Sequence, residues 1–441
     1  MNFEKLKKAA YKAGIEEIEA YSVYNHGIEI SSFNENIENN TSFETRVLAV
    51  RGVYQNQIVT IYEENDDDAM IPSLIERIKD NCSVKNQKDP FFIYAGDKEY
   101  PKLVEKKNDF SEYTLDDKAN LCLKLANLLK QKSEYVSKSE IGYSEMETKT
   151  TIENSNGLSV SRHSQTALLY AEVICEKDGE TKTGFDYLRL TNIKEADLNQ
   201  FAEELVKEAV DSFGAESIPS GTYPVVLDKK VVSNLLEAFS NIFSAEAVLK
   251  NMSFLKDKLG QKIFGENITL IDDPLFLEAP SQDSFDDEGV ASYTKSIVEQ
   301  GVLKTYLHNL KTAAMMQTKS TANGYKSGVN TSVSVAPSNL YLKAGDTSLE
   351  EIFEKIGNGV YITGVQGLHA GLNPISGSFN LQSNGFLIEN GKKTKPVTLI
   401  IVSGTLQDML NNVSFVGNDF EFKRGVGAPS LAVQALAISG K

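Results

Sequence analysis

The sequence predicts an α+β protein, in which an N-terminal antiparallel sheet with flanking helices is followed by a β-rich, barrel- or sandwich-like C-terminal domain. Three observations predict this fold class. Alternating apolar and polar residues occupy 20–33 and 44–64, amphipathic helical patterns flank these segments, and many short β-forming segments punctuated by Gly and Asn follow residue 220. With 441 residues, 41% of them hydrophobic, the chain is long enough for two or three domains with their own cores.

The first half begins with a charged amphipathic helix, MNFEKLKKAAYKAG, and continues into the strands of a meander. The segment NENIENN is expected to form the turn between the strands 20–33 and 44–64. Further helices are expected around 67–82 and over 114–132. The second of these has a clear start, because Thr114 is suited to the N-cap and two aspartates fall in the first turn.

Strands resume after the second of these helices, and the Asn156-Gly157 pair within them predicts a hairpin turn. A helix over 196–215 follows, with its apolar side chains on one face. Gly214 lies where a helix of this length would end, and glycine is the residue that most often terminates helices.

The stretch ESIPSG (216–221) is a typical linker and predicts the main domain boundary. The prediction is an N-terminal α/β domain over 1–215 and a C-terminal β-rich domain over 220–441. A further division of the N-terminal domain into two subparts, about 1–100 and 101–215, stays open as an alternative.

The charge balance disfavours nucleic acid as a partner. The chain has 61 acidic and 45 basic residues and a net charge of −16, whereas binding to phosphates needs clustered Lys and Arg. Three widely spaced cysteines suit a reducing compartment and favour neither disulfides nor a thiolate zinc site. There is no apolar signal-peptide core and no apolar run long enough to span a bilayer. A cytoplasmic protein without membrane contact is expected.

Residues 232–246, VSNLLEAFSNIFSAE, raise a question about function. Apolar residues recur there at the three-and-four spacing of a buried helix face: Val232, Leu235, Leu236, Phe239, Ile242 and Phe243. Apart from its last residue, this stretch contains one carboxylate, Glu237. The Glu237 side chain either caps the helix edge or pairs with a neighbour, or it is a remnant of a catalytic helix.

The four histidines do not form a metal motif, because no two lie within helical reach of each other. His26, His163 and His308 are expected to be structural. His369 lies in the glycine-rich stretch GLHAGLN and is a candidate for contact with a ligand. The acidic stretch SFDDEG (284–289) lacks the oxygen spacing of a calcium loop and is expected to be a solvated turn.

A longer segment carries a family resemblance. The run GLHAGLNPISGSFNLQSNGFLIENGKKTKPVTLIIVSGTLQDMLNNVSFVGNDFEF (367–422), with SFDDEG and GVLKTYLHNLKTA upstream, resembles the TldD/PmbA (TldE) family. The resemblance extends from about residue 20 to the C-terminal PSLAVQALAISGK and therefore covers nearly the whole chain.

In the TldD branch of this family, the helix equivalent to 232–246 carries HExxxH, with two metal-binding histidines and a general-base glutamate, and a cysteine ligand lies near the C-terminus. The resemblance places Leu236, Glu237 and Asn241 at these three helix positions, and the last cysteine of this chain is Cys175. It therefore implies a vestigial metal helix and a PmbA/TldE-like chain without catalytic residues, metal ligands or cofactor of its own.

The function implied by the resemblance is that of a non-catalytic subunit of a TldD/TldE-type metalloprotease complex that degrades or processes unfolded polypeptides and peptides. Zinc is expected in a TldD-like partner, which would form a heterodimer with this chain, and self-association into a homodimer is a further expectation. An older label, modulator of DNA gyrase, gains no support as direct DNA contact from the acidic charge.

The glycine-rich segment is the candidate substrate channel, because the backbone can approach a ligand closely there. Its candidate residues are Gly367, His369, Gly371, Asn373, Ser376 and Gly377. The alternative is that these residues form tight turns that shape a barrel-like core.

Two other functions stay open. One is a homo-oligomeric peptide-binding protein that acts without a catalytic partner. The other is an autonomous metallopeptidase with a relocated site, in which His308 or His369 would act with Asp286, Asp287 or Glu288.

Overall fold

The computed structural model describes residues 1–86, 88–104, 107–423 and 425–441. The chain forms two compact units. The first unit consists of Met1–Phe213, Asp287–Ala291 and Lys326–Val333. The second unit consists of Gly214–Asp286, Ser292–Tyr325 and Ser334–Lys441. Two short segments of the second half of the chain therefore belong to the first unit.

The first unit is an antiparallel sheet with helices. Its helices are α1 (Phe3–Lys12), α2 (Ile71–Val84), α3 (Leu115–Lys132) and α4 (Leu198–Asp211). Its strands are β1 (Glu17–Phe33), β2 (Asn36–Tyr54), β3 (Gln57–Glu63), β4 (Val136–Asn154), β5 (Ser159–Lys177) and β6 (Glu180–Leu190). The strand order is β3-β2-β1-β4-β5-β6, and each neighbouring pair is antiparallel. The predicted N-terminal antiparallel sheet with flanking helices is confirmed.

The turns of this sheet differ from the prediction. NENIENN is mostly strand: β2 already begins at Asn36, and only Asn34 and the residue after it separate it from β1. The segment predicted as one strand over 44–64 is divided by a turn at Gln55 and Asn56, whose φ angles are 50° and 56°. The first error arises because backbone pairing with β1 holds the polar residues of β2 in the sheet without any apolar pattern. The second arises because the chain reverses at Gln55 and Asn56, so that β2 pairs with β3 on either side of this turn.

Local sequence signals are confirmed at two other places. The Thr114 side chain accepts a hydrogen bond from the Asp117 backbone N–H (3.2 Å), and the Asp117 carboxylate accepts one from the Thr114 N–H (2.9 Å), which is the reciprocal capping box. Asn156 and Gly157 lie in the turn between β4 and β5, where Gly157 has a φ of 105°.

The second unit is rich in short strands. Its helices are α5 (Lys229–Phe239), α6 (Ala245–Leu249), α7 (Leu310–Met315), α8 (Leu349–Ile356) and α9 (Leu406–Asn411). Its strands are β7 (Gly221–Leu227), β8 (Leu270–Asp272), β9 (Lys295–Glu299), β10 (Val302–Leu303), β11 (Gly324–Tyr325), β12 (Ser334–Val335), β13 (Leu340–Leu342), β14 (Gly359–Gln366), β15 (Leu372–Asn373), β16 (Ser378–Glu389), β17 (Lys392–Thr405), β18 (Val413–Val416), β19 (Glu421–Lys423), β20 (Val426–Ala428) and β21 (Leu431–Ser439).

Five of these strands close into a barrel. They are paired in the order β14-β7-β21-β17-β16, and β14 also pairs with β16, which completes the circle. A separate sheet has the order β10-β9-β8-β13-β20-β19. One large apolar cluster contains residues of both sheets and of α5. The predicted β-rich C-terminal domain is confirmed, and it is barrel-like.

Glycine permits the closure of the barrel at one point. Gly385 of β16 lies opposite Ile362 of β14, and a Cβ atom at Gly385 would lie 1.9 Å from the backbone oxygen of Tyr361. A side chain at this position would hold the two strands apart. Within the four described ranges of the chain, no helix is both long and apolar enough to cross a membrane.

Candidate functional site

Helix α5 is held at its N-terminus by Asp228. The carboxylate of Asp228 accepts a hydrogen bond from the Lys230 backbone N–H (2.8 Å) and another from the Tyr361 hydroxyl on β14. Burial raises the pKa of Asp228 above its usual value, although both hydrogen bonds and two neighbouring lysines act in the opposite direction. The helix thus starts at a fixed point on the barrel.

The apolar face predicted for this helix is confirmed. Val232, Leu235, Leu236, Phe239, Ile242 and Phe243 are all buried. The last two lie in a 3₁₀ turn, Ser240–Phe243, that continues directly from α5.

The three candidate metal positions of the helix do not converge. The side chain of Leu236 is 2% exposed in the apolar core, whereas Glu237 and Asn241 are exposed. Among the described residues, the Glu237 carboxylate has no hydrogen bond and no ion pair, so the expectation that it serves as a cap or pairs with a neighbour is not met. No group of three or more His, Cys, Asp or Glu side chains placed to hold a metal ion occurs in the described ranges.

The residues proposed for a relocated site differ in burial. His308 is buried, its backbone N–H donates to the Thr321 hydroxyl (2.7 Å), and burial lowers the pKa of its imidazole to about 4. His369 is exposed. The carboxylate of Asp286 is buried and accepts a hydrogen bond from the Gly324 N–H (2.9 Å). Asp287 and Glu288 belong to the first unit.

The first half of the glycine-rich segment is a tight turn. The carbonyl oxygen of Gly367 accepts hydrogen bonds from the backbone N–H groups of Ala370 (3.0 Å) and Gly371 (2.7 Å), and the φ of Gly367 is 80°. Gly371 lies close against β16, because a Cβ atom there would lie 2.3 Å from the carbonyl oxygen of Asn380. Only glycine fits this approach without a backbone shift.

The second half is a turn built on Asn373. The side-chain oxygen of Asn373 accepts hydrogen bonds from the N–H groups of Ile375 (2.9 Å) and Ser376 (3.2 Å), and its carbonyl oxygen accepts one from Gly377 (2.7 Å). The hydroxyl of Ser376 lies 2.8 Å from that of Ser378, where β16 begins. The segment is therefore an ordered surface structure attached to the barrel.

An open groove of about 680 Å³ lies beside these turns. Of the six candidate residues, Gly367, Gly371 and Asn373 line it, whereas His369, Ser376 and Gly377 lie in the same turns without lining it. Other lining side chains come from the barrel strands: Gln366, Asn380 and Gln382.

The three strand amides form a row that the sequence predictions missed. Gln366 lies directly opposite Gln382 in the β14–β16 register, and Asn380 lies two residues before Gln382 on the same face. All three are exposed, and their side-chain amides have no hydrogen bond to any other part of the chain that the structure describes. Each amide can donate to and accept from a peptide backbone. The alternation of buried Phe379 and Leu381 with these polar residues was the available signal.

Comparison with known families gives matches for two parts of the chain. Residues 220–440 match the model of the PmbA/TldA metallopeptidase C-terminal domain, and residues 108–213 match that of the PmbA/TldA metallopeptidase central domain.

Individual relatives agree with these matches. The metalloprotease MJ0996 of Methanocaldococcus jannaschii is 28% identical over 389 residues, which cover 86% of this chain and 84% of that protein. The structure of TM0727 from Thermotoga maritima, which carries the description of a DNA gyrase modulator, has a TM-score of 0.92 and 29% identity over 99% of this chain and 100% of its own. TldE from Thermococcus kodakarensis has the same fold, with a TM-score of 0.90 and 22% identity over 99% of this chain and 100% of its own.

Proposed function

Because this chain belongs to the PmbA/TldD metallopeptidase family, we propose that it is a PmbA/TldE-type subunit without catalytic residues of its own. It acts with a TldD-like subunit in a metalloprotease complex that degrades or processes unfolded polypeptides and peptides. Zinc belongs to the TldD-like subunit, and the complex works in the cytoplasm, which suits the three free cysteines of this chain.

The burial of Leu236 is the observation that carries this proposal. A zinc ion takes nitrogen, oxygen or sulfur ligands, and an aliphatic side chain in the core offers none of them. Asn241 is an exposed neutral amide, and Glu237 is an exposed carboxylate with no candidate ligand beside it in sequence. These residues do not fit a zinc ion, so no step of hydrolysis is assigned to them.

The contribution of this chain to the complex is substrate contact. The amide row formed by Gln366, Asn380 and Gln382 lies along the groove, together with the exposed backbone of the Gly367 turn. Amide side chains form hydrogen bonds with the backbone of any extended peptide, whatever its sequence. Such contacts suit a complex that accepts unfolded chains.

The direct test is to purify the chain alone and together with a TldD-like paralogue that carries HExxxH. Zinc would be measured by elemental mass spectrometry, and hydrolysis of an unfolded peptide would be followed by liquid chromatography. We expect negligible zinc and no hydrolysis for the chain alone, and zinc with hydrolysis for the complex. About one zinc per chain, together with metal-dependent hydrolysis by the chain alone, would instead favour an autonomous peptidase.

Variants distinguish catalysis, which is assigned to the TldD-like subunit, from substrate contact, which is assigned to this chain. Glu237→Gln is expected to leave hydrolysis by the complex unchanged, since this carboxylate takes no part in the reaction. The double variant Asn380→Ala/Gln382→Ala is expected to raise KM by up to about thirtyfold, because it removes two hydrogen-bonding side chains worth about 1 kcal/mol each. Gln434→Ala, which removes an exposed amide from β21, is the matched control.

The oligomeric state of the chain distinguishes the subunit proposal from the homo-oligomeric peptide-binding alternative. If the chain binds unfolded peptide as a homo-oligomer and native mass spectrometry detects no complex with the paralogue, the peptide-binding alternative replaces the subunit proposal. A stable heteromeric complex supports the proposal.

A further inference from the structure

The first unit contains a cavity of about 830 Å³ that lies apart from the groove described above. One face of the sheet supplies Tyr21 and Thr150 to its lining, the strand β5 supplies Arg162, and the two later segments of the unit supply Asp287 and Lys326. This volume is within the usual range of small-molecule sites. The cavity is large enough for an organic ligand and not only for water.

The carboxylate of Asp287 at this cavity is already neutralised. One of its oxygens accepts hydrogen bonds from the Tyr21 hydroxyl (2.9 Å) and the Arg162 guanidinium (2.6 Å). The other accepts one from the backbone N–H of Lys326 (2.8 Å). Glu63, also in the lining, forms an ion pair with Arg77. The negative charges of the lining thus have partners in the chain, apart from Glu64, which is exposed.

The ammonium group of Lys326, unlike the paired carboxylates, contacts an aromatic ring and no described group of opposite charge. Its Nζ lies 3.8 Å from the centroid of the Tyr21 ring, which holds the side chain at the cavity. Within the ranges that the structure describes, this Nζ has neither a hydrogen bond nor an ion pair. The side chain is half-buried, so water compensates only part of the missing acceptor.

The electrostatics agree with an unsatisfied cation. Burial lowers the pKa of Lys326 to about 8, and the nearby Arg51 guanidinium acts in the same direction. Asp287, Glu19 and Glu288 act in the opposite direction but do not restore the ordinary value. An anion placed against the ammonium group would restore it.

We propose that this cavity binds a carboxylate-bearing ligand whose carboxylate pairs with the ammonium group of Lys326. The charges select a monoanion. Asp287 is paired with Arg162 and Glu19 with Arg51, so these charges balance one another. The single positive charge of Lys326 is therefore matched by one negative charge, whereas the second charge of a phosphate dianion would be repelled by the nearby Glu288. The carboxylate can come from the C-terminus of a peptide or from a free small acid, and the cavity has room for either.

The test uses the full chain alone, so its outcome is independent of the subunit proposal. Isothermal titration at pH 7 would compare the tripeptide Ala-Ala-Ala with its C-terminal amide, with acetate and with inorganic phosphate. We expect the free tripeptide to bind about tenfold or more tightly than its amide, which corresponds to about 1.4 kcal/mol for the ion pair. Acetate that binds as tightly as the tripeptide would assign the site to free small acids.

Lys326→Met should weaken binding of the carboxylate about tenfold or more. The matched control is Lys149→Met on β4, an exposed lysine whose neighbours in the strand, Thr148 and Thr150, line the cavity while it points to the other face. Lys149→Met should bind as the unchanged chain does. Equal binding of the acid and the amide, or tighter binding of phosphate, would overturn the proposal.

A second measurement needs no variant that could fail to fold. NMR of the reductively ¹³C-methylated chain should show one lysine that titrates near pH 8, and saturation with Ala-Ala-Ala should move that titration upward. A lysine signal whose titration is unchanged by the tripeptide would contradict the proposal even if the tripeptide binds elsewhere.

Discussion

At the scale of single residues, His308 is a source of acid sensitivity. Its pKa of about 4 in the folded chain lies below the ordinary 6.5, so between these pH values the unfolded chain binds a proton that the folded chain excludes. Stability should therefore fall as the pH drops from 6.5 toward 4, by at most about 3 kcal/mol for this group. Urea unfolding at pH 4.5 and 7.5 would measure the fall.

The variant His308→Gln should show a smaller difference between the two pH values than the unchanged chain, since glutamine does not titrate. His369→Gln is the control, because His369 is exposed. If His308→Gln and the unchanged chain lost the same stability, the buried imidazole would not be the group responsible.

At the scale of elements, the N-cap of α5 predicts a second pH dependence with the opposite sign. The pKa of Asp228 is raised in the folded chain, so the folded chain retains a proton that the unfolded chain releases in the range just above 3.8. In that range stability contributed by this group falls as the pH rises. Asp228→Asn keeps an acceptor for the Lys230 N–H and should remove this dependence, as measured by thermal unfolding from pH 4 to 7.

Asp228→Ala serves as the contrast. It removes the cap as well as the charge and should lower the stability of the second unit by about 1 kcal/mol. If the Asn and Ala variants unfolded at the same temperature, the side-chain cap would contribute nothing.

The closure of the barrel predicts a further effect of a single methyl group. Gly385→Ala would place a carbon within 1.9 Å of the Tyr361 backbone oxygen, so β14 and β16 must move apart, with an expected loss of about 1–3 kcal/mol. Gly404→Ala in β17 is the matched control, because its nearest neighbour is a side-chain atom of Phe379 at 3.1 Å. Equal denaturant midpoints for the two variants would contradict this view of the closure.

Local patterns account for the elements that could be predicted from the sequence. The three-and-four spacing around Leu236 identified the buried face of α5, and Thr114 identified the start of α3. The polar start of β2 was missed because its pairing with β1, and not its side chains, keeps it extended. The groove was only partly predicted: glycines marked the turns, but the pairing of Gln366 with Gln382 brings together residues of two strands.

At the scale of the whole molecule, the net charge of −16 predicts that the chain does not bind DNA directly. Fluorescence anisotropy of a labelled duplex of about 25 base pairs should show no binding up to about 10 μM protein at ordinary salt. Lowering the salt concentration should not produce binding, since the long-range repulsion then becomes stronger. Binding that weakens steeply with added salt would instead indicate a basic surface and support direct DNA contact.

The cavity of the first unit could not be predicted at any scale from the sequence alone. Tyr21, Arg162, Asp287 and Lys326 are far apart in the chain, and each lies in an unremarkable local pattern. SFDDEG was interpreted as a solvated turn, whereas Asp287 within it is buried and makes three hydrogen bonds. Only the tertiary structure brings these residues together.

The division of the first unit along the chain also has a consequence for biosynthesis. A ribosome releases residues 1–213 first, but Asp287–Ala291 and Lys326–Val333 of the same unit follow only after much of the second unit has been made. Until then the Tyr21 hydroxyl and the Arg162 guanidinium lack the carboxylate that they bind in the finished protein. The nascent sheet of the first unit must therefore persist without Asp287–Ala291 and Lys326–Val333 until these segments are synthesised. A chain released early would lack these segments of the first unit.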